Sequence, residues 1–146
     1  MKNTKLSQSL TVSKIALGFW RLNEWKMTKE ELLKFMEEAI ELGVTTFDHA
    51  DIYGSYTCEK IFGEALAMKP ELRKKIQLVS KVGIKLKSQN MPENEFHCYD
   101  TGYDHIIKSV EKSLQNLGIE YLDLVLIHRP DIFMDADDTA KALKEL

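Results

Sequence analysis

The chain has 146 residues, 44% of them apolar and 29% charged, with a net charge of −3 at pH 7. That balance suits a single folded unit, and no window approaches the ~18 consecutive apolar residues of a membrane span. Lysine and glutamate are mixed along the chain without a basic stripe, so neither nucleic acid nor membrane is expected as a partner.

The N-terminal stretch MKNTKLSQSLTVSK lacks an apolar segment and a small-residue cleavage site, so no secretory signal is read there and a cytoplasmic protein is expected. SKIALGF is a short apolar run suited to a buried strand. After the loop WRLNEWKM, Leu32, Leu33, Met36, Ala39 and Ile40 recur at helical spacing. Thr28 and Glu31 form a capping-box pattern at its start, and Gly43 a stop at its end. VTTFD predicts a second strand, HADIYG a loop, and CEKIFGEALAM a second helix closed off by Pro70. KIQLVSK is a third strand, followed by a long polar loop from Ile84 to about Tyr99. YDHIIKSVEKSLQNLG is a third amphipathic helix, with Ile106, Val110, Leu114 and Leu117 on one face and Gly118 as its stop. LDLVLIH, nearly all apolar, predicts a parallel strand covered on both sides, and DADDTAKALKEL opens a fourth helix.

Four strands alternating with four helices predict right-handed βαβ units and a parallel sheet. An eight-unit (β/α)8 TIM barrel takes ~250 residues, so residues 1–146 have length for about half of one. In such a sheet the C-terminal strand ends face one side and gather the active-site groups. Asp48 ends the second strand, with Tyr53 in its loop. Lys81 ends the third and His128 the fourth. A phenol is a poor acid near neutral pH, and a neighbouring ammonium favours its ionised form, a service Lys81 is positioned to give Tyr53. A buried ammonium needs a counter-charge, which Asp48 supplies, and His128 is positioned to hydrogen-bond an oxygen that turns negative in a transition state. The set suits protonation of a carbonyl oxygen while its carbon is attacked, and a reduced nicotinamide is the natural source of the attacking hydride.

FDHADIYG, the lysine of LVSK and the histidine of LIHRP resemble three signature segments of the aldo-keto reductase family, in order. SKIALGFWRL and LIHRPDIFMDAD are similar to a bacterial branch of broadly specific oxidoreductases. The resemblance implies an NADPH-dependent reductase of aldehydes or ketones, NADH being the alternative cofactor. Tyr53 would be the general acid, Lys81 and Asp48 would tune it, and His128 would orient the carbonyl. The resemblance also puts the segment after strand one, Trp20, Arg21 and Leu22, beside cofactor and substrate, although many relatives have Gly-Thr where this chain has Trp20-Arg21. Trp20, Tyr53 and His128 would then contact substrate, and Trp20, Arg21 and Asp48 the cofactor.

Only the N-terminal half of the family pattern is matched, and KALKEL reads as a truncation inside a helix. A half-barrel leaves the edges of strands one and four unpaired, which predicts a homodimer or a complementing C-terminal half-barrel. A fragment without activity of its own, or a non-catalytic cofactor-sensing module, are the alternatives. Other motifs are assigned less. Cys58 and Cys98 read as free thiols. His97, Cys98 and Asp100 in FHCYD project in different directions, so no metal site is expected. His49 reads as a loop residue and His105 as solvent-facing.

Overall fold

The computed structural model describes residues 2–146. The chain opens with a hairpin, β1 (Asn3–Lys5) antiparallel to β2 (Thr11–Ser13), which the sequence pattern did not predict. Its strands are three residues long and mostly exposed, so no apolar alternation marks them. Ser13 ties the hairpin down: its Oγ accepts from the amides of Thr45 and Thr46, at 3.1 and 3.0 Å.

Four βα units follow. β3 (Ala16–Gly18) leads through a 3-10 turn at Leu22–Glu24 to α1 (Lys29–Glu41), and β4 (Thr46–Asp48) leads to α2 (Cys58–Leu66). β5 (Gln77–Val82) is followed by two short antiparallel strands, β6 (Ile84–Lys85) and β7 (Cys98–Tyr99), and then by α3 (Tyr103–Leu117). β6 and β7 lie within the segment expected to be one long loop. β8 (Leu124–Ile127) leads to α4 (Ala136–Glu145). The central sheet has the order β3-β4-β5-β8, parallel throughout, as in the first half of a (β/α)8 barrel.

Local chemistry sets these boundaries. Thr28 Oγ1 accepts from the Glu31 amide at 3.2 Å while Glu31 Oε2 accepts from the Thr28 amide at 2.8 Å, a complete capping box. Gly43 and Gly118 end their helices in the left-handed region, with φ of 82° and 65°. Pro70 does more than stop α2, because it opens a 3-10 turn over Pro70–Lys75. Asp135 Oδ1 accepts from the amides of Asp137 and Asp138 and so starts α4.

Strand side chains alternate between two faces. By the register, Phe47, Leu78, Ser80 and Val82 share one face, and Asp48, Val79 and Lys81 share the other. The first face carries the core. Phe47 meets Phe19 and Phe62 edge-on at 5.5 and 6.0 Å, and Leu32, Met36, Leu66 and Leu117 close around them. A second cluster joins Val82 to Ile106, Val110 and Ala142 under α3 and α4. β8 corrects the expectation of a strand covered on both sides: its residues are half-buried or exposed, with Leu126 40% exposed, because among the described residues β8 has a strand neighbour only in β5 and helices on one face.

Candidate active site

Asp48, Lys81 and His128 stand at or just beyond the C-terminal ends of three adjacent strands, and the fold brings them together with Tyr53. Lys81 Nζ donates to Asp48 Oδ2 at 2.8 Å, to the carbonyl oxygen of His49 at 2.7 Å and to Tyr53 Oη at 2.9 Å. All three ammonium protons therefore have an acceptor. The nitrogen also lies 4.7 Å from the centre of the Tyr53 ring. His128 meets that ring edge-on, with centroids 5.8 Å apart.

The loop that carries Tyr53 is wound tightly. Gly54, Ser55 and Tyr56 all have positive φ, at 58°, 54° and 70°. Two consecutive non-glycine residues in this region store strain next to the phenol. The surrounding structure holds them there: Tyr56 Oη accepts from the Leu86 amide at 2.7 Å, and the Asn90 side chain donates to the Ser55 carbonyl at 2.8 Å. A Cβ at Gly54 would lie 2.5 Å from Cys58 Sγ, so this turn also needs a residue without one.

Tyr53 and His128 line a cavity of about 570 Å³, shared with Trp20, Ile52, Ile84, Leu86, His97, Tyr99 and Arg129. Such a volume takes a small organic ligand, and its walls are mainly apolar or aromatic. Burial lowers the His128 pKa from its ordinary 6.5, Lys81 and Arg129 lower it further, and Asp48 opposes them. The imidazole is accordingly neutral at pH 7, with one N–H to donate.

Trp20 lines the cavity and is 62% exposed. Arg21 does not line it; its guanidinium lies over the Trp20 ring at 4.9 Å from the centroid. Leu22 is buried in the core and does not line this cavity. His49 is not an ordinary loop residue. It is fully buried, stacked on Phe19 at 4.7 Å and edge-on to Phe62 at 4.5 Å, and burial with the Lys81 charge holds its pKa down at about 3. His105 is half-buried, with its Nε2 3.4 Å from Ser109 Oγ. Arg129 and His97 are cavity residues that the sequence did not assign there. For Arg129 the signal was its place beside His128 in LIHRP.

Among the described residues no group of three or more His, Cys, Asp or Glu is arranged to hold a metal, and no helix is long and apolar enough to cross a membrane.

Residues 14–146 match the profile described as Aldo/keto reductase family. The chain is 51% identical over 146 residues to "Uncharacterized oxidoreductase YcsN" of Bacillus subtilis, covering all of this chain and 49% of that protein. It is 53% identical over 134 residues to "Oxidoreductase YdhF" of Escherichia coli, covering 92% of this chain and 44% of that one. Among solved structures it superposes on aldo-keto reductase AKR11C1 from Bacillus halodurans, described as the holo form, with a TM-score of 0.81 and 31% identity. That match covers 100% of this chain and 46% of the other. The chain thus spans about half the length of the relatives it matches.

Proposed function

The chain belongs to the aldo/keto reductase family, and we propose that it carries the proton-donating site of an NADPH-dependent reduction of an aldehyde or ketone to an alcohol. The observation that carries this reading is the saturation of Lys81. Because the ammonium donates to Tyr53 Oη, the phenol uses a lone pair there, and its own proton is free to point into the cavity. A carbonyl oxygen seated between Tyr53 and His128 accepts that proton as negative charge develops on it. The phenolate left behind faces the Lys81 ammonium, which Asp48 and the His49 carbonyl hold in position. His128, neutral, donates to the same oxygen and fixes the orientation of the carbonyl.

The residues at this end of the sheet fit a nicotinamide nucleotide. Asp48 Oδ1 has no hydrogen-bond partner among the described residues, and the Asp48 side chain is 29% exposed, so it would accept from a cofactor hydroxyl. Trp20 offers an exposed indole on the same side. When bound, the reduced nicotinamide supplies the hydride that attacks the carbonyl carbon.

Residues 1–146 act in this reading as one half of a barrel, completed by a second copy or by a complementing half. The free thiols of Cys58 and Cys98 fit the reducing cytoplasm. The test is aldehyde-dependent oxidation of NADPH by the Lys81→Met variant. Turnover is expected to fall ~10²–10⁴-fold, the range of acid–base contributions, with cofactor affinity little changed. Unchanged turnover would contradict the role given to Lys81.

A further inference from the structure

We propose that Arg129 makes this cavity selective for carbonyl compounds that also carry an anionic group, a carboxylate being the best match. This rests on the reading of Tyr53 and His128 as the pair that holds the carbonyl.

The chain has three arginines, of which Arg73 is held by hydrogen bonds and an ion pair. Arg73 donates to the carbonyls of Ile76 and Tyr121 and pairs with Asp123 at 2.8 Å. Arg21 lies on the face of Trp20. Arg129 lines the cavity and makes neither an ion pair nor a side-chain hydrogen bond among the described residues. Among the described residues no aspartate or glutamate lines the cavity to answer it. The ammonium that touches Tyr53, Lys81, is already paired with Asp48. The field of the guanidinium reaches the site, since it is one of the charges that lower the pKa of His128.

A guanidinium offers a planar fork of N–H donors that matches a carboxylate bidentately. Arg129 follows His128 in the chain and shares one cavity of about 570 Å³ with it and Tyr53. A single small molecule can therefore touch all three, its carbonyl oxygen between Tyr53 and His128 and its anion on Arg129. The apolar walls from Ile52, Ile84 and Trp20 suit a short hydrocarbon spacer between the two groups. The same fork would also hold a phosphate of the cofactor, and the experiment separates these two sources of negative charge.

The protein is titrated calorimetrically with 4-formylbenzoate and with benzaldehyde, which differ only by the carboxylate. The acid is expected to bind about tenfold tighter, the size of one charge-assisted hydrogen-bonded contact. Arg129→Gln should reduce that preference to less than about twofold, and Arg129→Lys, which keeps the charge and loses the fork, should retain part of it. Equal binding of the two aldehydes by the unmodified protein, or an undiminished preference in Arg129→Gln, overturns the proposal. So does a loss of NADPH affinity in Arg129→Gln with the aldehyde preference intact, which would give the guanidinium to the cofactor. Turnover is read separately: a preference in binding without NADPH oxidation supports the anion site and contradicts the reductase reading alone.

Discussion

His49 and Asp51 flank the turn into the Tyr53 loop, and both are buried in their uncharged forms. Burial lowers the His49 pKa from 6.5 to about 3. Burial, with the Glu59 charge added, raises the Asp51 pKa from 3.8 to about 8, against opposition from the Ile52 amide, Ser109 and Lys112. The two act on stability with opposite sign. The unfolded chain binds a proton at His49 more readily than the folded one, so this residue removes stability as pH falls from 6.5 towards 3. The folded chain binds a proton at Asp51 more readily, so that residue removes stability as pH rises from 3.8 towards 8. Where the windows overlap they offset each other, and between pH 6.5 and 8 only Asp51 of the two changes charge. We predict that stability declines over that upper interval by up to ~1.4 kcal/mol per pH unit, and that Asp51→Asn flattens the decline. Chemical denaturation at several pH values checks it; an unchanged slope in the variant would count against a protonated Asp51. The burial of His49 was legible in principle from strand alternation, since it continues the face of Phe47 opposite Asp48. The carboxylates on either side of it in sequence, Asp48 and Asp51, hid that. Arg129 was hidden differently, because a charged residue after a strand is ordinarily a solvated one.

At the scale of elements, the sheet and its helices followed from periodicity, while the pieces without periodicity did not. All four helices carry an apolar stripe or a recognisable cap, and each was read within a few residues of its bounds. The β1–β2 hairpin and the β6–β7 pair are strands of two or three residues, too short for alternation to show. They are set by contacts distant in sequence, such as Ser13 with Thr46. Helix packing shows the same dependence on distant neighbours. A Cβ on Gly63 of α2 would fall 2.3 Å from the Asn116 carbonyl and under 3 Å from the backbone of Leu117 at the end of α3. Alanine gains in helix propensity over glycine by roughly 0.5–1 kcal/mol, yet here it must push two backbones apart. We expect Gly63→Ala to destabilise by about 1–3 kcal/mol, the cost of overpacking, seen as a lower urea midpoint. A raised midpoint would mean that the α2–α3 contact yields more easily than its geometry indicates.

Among the described residues the central sheet has two unpaired edges, β3 and β8, and an open inner face on which Leu126 is 40% exposed. Ile132 and Phe133, in the loop beyond β8, are 90% and 89% exposed. Unpaired parallel edges and exposed apolar side chains favour association. A two-fold axis along the barrel axis would pair β8 of one copy with β3 of its partner at both junctions, keeping all strands parallel. The 146-residue chain is therefore predicted to self-associate, and sedimentation of a clean monomer at micromolar concentration would contradict this. Barrel class was legible because the βα repeat is regular. Asp48, Lys81 and His128 were legible as a group because each interrupts or ends an apolar run at the same end of the sheet, and Tyr53 because it lies in the loop that follows Asp48. What their convergence adds is the geometry around Lys81, and with it the claim that Tyr53 hands its proton to the carbonyl oxygen. The most direct test is the Tyr53→Phe variant, with turnover of a simple aldehyde and NADPH affinity measured on the same protein. Turnover lower by several orders of magnitude with cofactor affinity unchanged is the predicted result, since the substitution removes a proton and leaves the ring. Unchanged turnover would contradict Tyr53 as the acid.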